Sequence, residues 1–244
     1  MALKKISPQS TDRLACLVIG PAGIGKTSLI RTLCGEEYDG QGWQKKSQPE
    51  KVCVLSAEAG LLSVRDLVVA GQVEGYEIGS LEDFRDAQIM CMSANFKQEG
   101  YHWIFIDSLT EISSRCSESL QKKYPGKNDS FKLWGEYNQL MTDIIKSFRD
   151  MTDFNVIFTC LEAHDKDADG IARLVPDVAG SGIKNRLVSY FDEVFYMQSI
   201  RGQDGKPWTW FSTSAPIGVA KDRSGKLDKF EMPNLLAIQH KILG

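Results

Sequence analysis

No Cys-x-x-Cys pair occurs in this 244-residue chain. Its six cysteines, Cys16, Cys34, Cys53, Cys91, Cys116 and Cys160, are scattered, four of them inside apolar runs, as buried thiols are. That pattern argues against disulfides and a zinc site and points to a reducing cytosol. No apolar run approaches the roughly 18 residues of a membrane span. No apolar h-region follows Lys4 and Lys5, so a secretory signal and a membrane partner are not expected. Positive charge is not in excess: 29 Lys+Arg face 32 Asp+Glu, for a net charge of −3. This excludes a basic coat for nucleic acid and leaves room for a local basic strip. What is present is a globular composition, 42% hydrophobic and 25% charged, which excludes collagen, coiled coil and wholesale disorder.

Residues 1–13 are polar and read as a flexible arm, and residues 14–244 as a single α/β domain. Leu14 to Gly20 is a continuous apolar run, the pattern of a strand buried on both faces. Thr27 to Cys34 reads as a helix stopped by Gly35, and 36–50 as a loop. Val52–Leu55, Trp103–Ile106 and Asn155–Thr159 are further buried strands. Helices are expected over Leu61–Ala70, from Ser80 to about Phe96 behind a Ser80-x-x-Asp83 cap, and over 110–123 and 133–150. Asp192–Gln198 and Trp208–Thr213 flank a turn containing Asp204-Gly205, a hairpin signal. Pro233 to Leu243 reads as a terminal helix with Leu235, Ile238 and Ile242 on one side. Strand–helix alternation followed by a hairpin predicts a mostly parallel sheet flanked by helices, with an antiparallel C-terminal extension.

The strongest motif is Gly20-Pro21-Ala22-Gly23-Ile24-Gly25-Lys26-Thr27, followed by Ser28. It satisfies G-x-x-x-x-G-K-[ST] after a strand and before a helix. Its glycines let backbone N–H groups turn toward phosphate oxygens at a helix N-terminus. Lys26 would reach the β- and γ-phosphates of ATP, and the Thr27 hydroxyl would ligate Mg²⁺. Asp107 ends a buried strand, where it can hold Mg²⁺ or cap the next helix. Glu58 follows the second strand, where it can polarise the attacking water or stand as a surface acid. There is no Asn-Lys-x-Asp motif for guanine, and the arginines are too dispersed for a nucleotide-kinase lid.

Trp103-Ile-Phe-Ile-Asp107-Ser108 resembles the hydrophobic–Asp–Ser signature of RecA-type ATPases, and Ala57-Glu58 stands where that family keeps its catalytic glutamate. With Pro176-Asp-Val-Ala-Gly180, Tyr190-Phe-Asp192-Glu-Val-Phe and Gly218-Val-Ala-Lys221-Asp222-Arg223, the chain from about residue 14 to 240 resembles phage-encoded AAA/RecA-like ATPases, including the Sak group of single-strand annealing proteins. The resemblance implies a RecA-like core and Glu58 as the activator of water. It implies a homo-oligomer with ATP at subunit interfaces, Lys221 and Arg223 acting on a neighbour's γ-phosphate. It further implies a role in phage recombination in the host cytoplasm, with single-stranded DNA and a single-stranded-DNA-binding protein as partners. A motor or helicase-loader ATPase, or a nucleotide-gated binding module, remains open on the same motifs. Relatives place a polar sensor at the end of the fourth strand; this chain offers Thr159, then Glu162 and His164.

Two segments are candidates for DNA. Lys122-Lys123-Tyr124-Pro-Gly-Lys127-Asn-Asp129-Ser-Phe131-Lys132-Leu-Trp134 interleaves four lysines with three aromatic rings, as single-strand binding requires; a solvated linker is the plain alternative. A second loop, Leu161 to Arg186, carries Arg173 but more acids than bases. Within it, Asp165-Lys-Asp167-Ala-Asp169-Gly170 imitates half of a calcium loop, yet Pro176 stands where the bidentate Glu belongs. His102 and His240 lack ligand-spaced partners and read as structural.

Overall fold

The computed structural model describes residues 12–58, 61–126, 129–166, 169–201, 207–214 and 219–244. Most of the expected arm therefore lies outside the described residues, as do Lys127, Asp167, the Asp204-Gly205 turn and Gly218.

The central strands are β1 (Ala15–Gly20), β4 (Val52–Ser56), β5 (Val73–Glu77), β6 (Trp103–Asp107), β7 (Asn155–Lys166) and β9 (Glu193–Arg201). They run parallel in the order β9-β1-β7-β6-β4-β5. Beyond β9 lie the antiparallel strands β10 (Pro207–Ser212) and β12 (Phe230–Glu231), while β11 (Lys221–Asp222) also pairs with β9. This is the mixed α/β sheet of a P-loop NTPase, with its antiparallel C-terminal strands.

Side-chain alternation divides the core into two layers. Leu17, Ile19, Leu55, Ile106 and Phe158 face α3 (Leu81–Met92), α5 (Leu109–Lys123) and α6 (Ser130–Arg149). Cys16, Val18, Val54, Trp103 and Phe105 face α1 (Ile30–Leu33), α2 (Arg65–Val69) and the C-terminal helix Leu235–Leu243. Because β1, β4 and β6 are covered on both sides, every residue in them is buried, and their sequences are apolar up to Ser56 and Asp107, which end β4 and β6.

Several expectations need correction. Residues 36–50 hold a small hairpin, β2 (Glu36–Tyr38) and β3 (Trp43–Lys45). Its turn is set by Asp39, whose carboxylate accepts from the N–H groups of Gln41 and Gly42. These strands are short and largely exposed, so no apolar period marks them. The helix from Ser80 breaks at Ser93, whose ψ of 151° ends α3 and whose hydroxyl caps α4 (Ala94–Gln98). The helix expected over 133–150 starts earlier than residue 133, since α6 already begins at Ser130. The expected loop 161–186 is instead the end of β7, the antiparallel β8 (Ala172–Pro176), and the short helix α7 (Ser181–Lys184). All six cysteines are buried free thiols.

Candidate nucleotide site

The site stands where β1, β6 and β4 end and β7 runs on past them. Gly20 is opposite Leu161, and Ser56 is opposite Asp107. The phosphate loop leaves β1 at Gly20, where an added Cβ would lie 2.6 Å from the Met197 carbonyl oxygen on β9. Only glycine fits so close to the neighbouring backbone. Gly25 has φ +103°, a region that side chains disfavour. These two positions explain the glycines at the ends of the motif.

Lys26 is buried, and its ammonium donates to the Gly20 and Pro21 carbonyl oxygens at 2.9 and 2.8 Å. Burial lowers its pKa, opposed chiefly by the Asp107 charge. Asp107 is nearly inaccessible; burial raises its pKa, against hydrogen bonds from Thr159 and Thr27 that hold it down. The Thr27 hydroxyl donates to Asp107 Oδ2 at 2.6 Å, and the Thr159 hydroxyl donates to Oδ1 at 2.5 Å. The helix-cap alternative for Asp107 falls away, because the cap of α5 is Ser108, whose hydroxyl accepts from the Glu111 N–H. Thr27 and Asp107 thus present two adjoining hard oxygens, a donor set that fits Mg²⁺.

Glu58 is exposed and lines the same cavity, about 440 Å³, as Ala22, Gly23, Gly25, Lys26, Thr27 and Asp107. Its charge acts on both Lys26 and Asp107. Two bonds fix the chain that carries it: the Ala57 N–H donates to the Asp107 carbonyl at 2.7 Å, and the Ser56 hydroxyl donates to the Glu58 carbonyl at 2.9 Å. Glu58 also lines a larger, mainly apolar groove of about 710 Å³ with Leu61, Leu62, Arg65, Val68 and Tyr76.

Two of the residues offered as the polar sensor, Thr159 and Glu162, stand near this cavity. Thr159 is the inner support of Asp107, and its signal was a lone hydroxyl in the apolar run of β7. Glu162 lies one residue past Leu161, which lines the cavity; its charge is felt by Lys26, and its buried Oε2 lacks a hydrogen-bond partner among the described residues.

Lys221 and Arg223 are not part of this cavity. β11 pairs with β9 at Glu193 and Val194, and Glu193 lies opposite Cys16 on β1. The phosphate loop begins four residues further along β1, ~13 Å away at the strand rise. Lys221 donates to the Val188 and Phe191 carbonyls, and burial lowers its pKa. Arg223 is paired with Asp192.

Beneath β11 lies Glu193, 1% exposed, whose Oε1 accepts from the N–H groups of Arg223 and Ser224. Burial pushes its pKa up to about 7 from an ordinary 4.5, aided by the Asp222 charge and opposed by those N–H groups. A raised folded pKa means that its contribution to stability is complete below about pH 4.5 and is lost as pH rises through about 7. Glu193→Gln should therefore exceed wild type in stability at pH 8, by up to about 3 kcal/mol, with the difference vanishing toward pH 4.5. Denaturant titrations across pH check this; parallel profiles for the two proteins would reject it.

The proposed DNA strip is altered by folding. Lys122 and Lys123 end α5, while Phe131, Lys132 and Trp134 begin α6. Lys123 and the Tyr124 hydroxyl both bond Glu136, and Lys132 lies 3.4 Å from Asp129. Trp134 packs in part against the core, whereas Phe131 is 90% exposed. Arg173 sits on β8, within 3.6 Å of Asp165 and bonded to Asn185. The two candidate segments adjoin: the Trp134 ring lies against Gly180, just after β8.

A glycine-rich phosphate loop, a buried Asp on the third strand outward and a mostly parallel sheet define a P-loop nucleotide-binding domain. Comparison with family models bears on the same point: the AAA domain model matches residues 12–224, and the chain belongs to that family of ATPase domains. No curated protein matches the chain. Among the described residues, no helix is long and apolar enough to cross a membrane.

Proposed function

We propose that this domain hydrolyses ATP with Mg²⁺ and couples the cycle to single-stranded DNA in annealing or strand exchange. The observation that carries the ATPase reading is the convergence of Lys26, Thr27, Asp107 and Glu58 on one cavity, with Thr27 and Asp107 2.6 Å apart. Lys26 would leave its two loop carbonyls for the β- and γ-phosphates. The ion, once bound by Thr27 and Asp107, would neutralise charge between those phosphates. Glu58, solvent-facing and unburied, would accept the proton of the attacking water. Lys221 and Arg223 are at the wrong end of the sheet for their own chain's nucleotide, so a role for them requires a second copy. The reading therefore entails an oligomer with ATP at subunit interfaces, in which Arg223 would exchange Asp192 for a phosphate.

The DNA reading rests on Phe131, an aromatic ring left almost wholly in solvent in the first turn of α6, next to Lys132 in the chain. A ring so placed offers a stacking surface for a base. The adjoining β7–β8 hairpin is continuous with the strand that supplies Leu161 to the nucleotide cavity and Thr159 to Asp107, which would link DNA to ATP state. Membership of a recombination system resembling the phage annealing ATPases, in a bacterial cytoplasm and with a single-stranded-DNA-binding protein as partner, belongs to the same proposal. Neutralising Lys122, Lys123 and Lys132 together should weaken oligonucleotide binding by about tenfold or more and flatten its salt dependence. It should also remove any stimulation of ATPase activity by single-stranded DNA. Unchanged, salt-independent affinity would reject the strip and favour a motor or loader acting on protein or duplex.

A further inference from the structure

We propose that Arg115 is the positioning residue for Glu58, an inference that rests on the reading of Glu58 as the base. β4 ends at Ser56, and past it the chain leaves the ladder, so the carbonyl of Ala57 has no strand partner. Arg115 supplies one. Its Nη2 donates to the Ala57 carbonyl at 2.7 Å, in the peptide plane that leads directly into Glu58. Its Nη1 donates to the Gly79 carbonyl at 3.1 Å, in the loop before α3. Its Nε donates to Glu111 at 3.1 Å, one turn earlier on α5, which sets the direction of the fork. Three donors of one rigid plane therefore hold three separate pieces of backbone and helix.

The connection matters because of where α5 starts. It is capped by Ser108, the residue after Asp107. Arg115 thus ties the peptide carrying the base to the helix that continues from the metal-holding carboxylate. With the Ala57 N–H already on the Asp107 carbonyl, the two acids are held as one unit. A base misplaced by about 1 Å can lose ~10² in rate. A lysine in this position has one ammonium and cannot reproduce the fork.

The test is steady-state ATP hydrolysis together with nucleotide affinity for Arg115→Ala, Arg115→Lys, Glu58→Gln and Arg115→Ala with Glu58→Gln. Arg115→Ala should lower kcat by about 10–100-fold with the nucleotide Kd held within about twofold, and Arg115→Lys should recover only part. The double variant should be no slower than Glu58→Gln alone, since a positioning residue has nothing left to position. A kcat for Arg115→Ala near wild type, a loss confined to Kd, or losses that multiply in the double variant would each overturn the inference. Wild-type turnover in Glu58→Gln would instead remove the reading on which it rests. Thermal melts verify folding; should the alanine variant fail to fold, Arg115→Lys with and without Glu58→Gln carries the same comparison.

Discussion

Lys26→Ala should abolish measurable ATP hydrolysis, a loss of ~10²–10³-fold or more, with nucleotide binding severely weakened. The side chain is buried and its ammonium already sits against the Gly20 and Pro21 carbonyls at the mouth of the loop. A triphosphate brought here meets Glu58 and Asp107 as well, and Lys26 is the one cation among the described residues lining the cavity. Removing it leaves the phosphate charge to the loop N–H groups and the metal ion. The fold should survive, because Lys26 itself lines the open cavity and water can take the place of its ammonium. Filter-binding or fluorescent-nucleotide titration, paired with phosphate release, checks both halves. Wild-type turnover in this variant would end the ATPase assignment.

Glu58→Gln should separate binding from chemistry. Turnover should fall by ~10²–10⁴-fold, the range of a lost general base, while ATP binds as tightly as before or more so. The sign of the second effect follows from charge. Glu58 shares the cavity with the phosphate-binding residues, so the neutral amide removes a negative charge that would repel the triphosphate. The amide keeps the shape of the side chain, and the Ser56 hydroxyl bonds the main chain of residue 58, which the substitution leaves intact. A single-turnover experiment with tight nucleotide binding and no product is the expected result. If product forms at the normal rate, water is activated by another group.

Much of the fold was legible because β1, β4 and β6 carry unbroken apolar runs, and burial on both faces demands that composition. Ser80 and Asn234 mark helix starts with side chains that accept from N–H groups three residues on. Illegible were β2, β3 and β5, whose residues are mostly exposed and whose pairing gives no apolar period. β8 was hidden for a different reason. Its partner is the far end of β7, where polar residues such as Glu162 and His164 look like loop until the antiparallel pairing is seen.

For the site, the chain alone determined what local geometry dictates. A glycine at 25, a lysine at 26 and a threonine at 27 after a buried strand need only backbone sterics and a helix N-terminus to form a phosphate cradle. Asp107 and Glu58 were recognisable as acids at strand ends. Tertiary structure decided the rest: that Ser108 caps α5 and frees Asp107, that Thr159 and Arg115 support the two acids, and that Lys221 and Arg223 lie at the opposite end of β9. Each of these depends on which strands are neighbours and at what register. Such contacts join residues tens of positions apart, and no pattern in the local sequence encodes them.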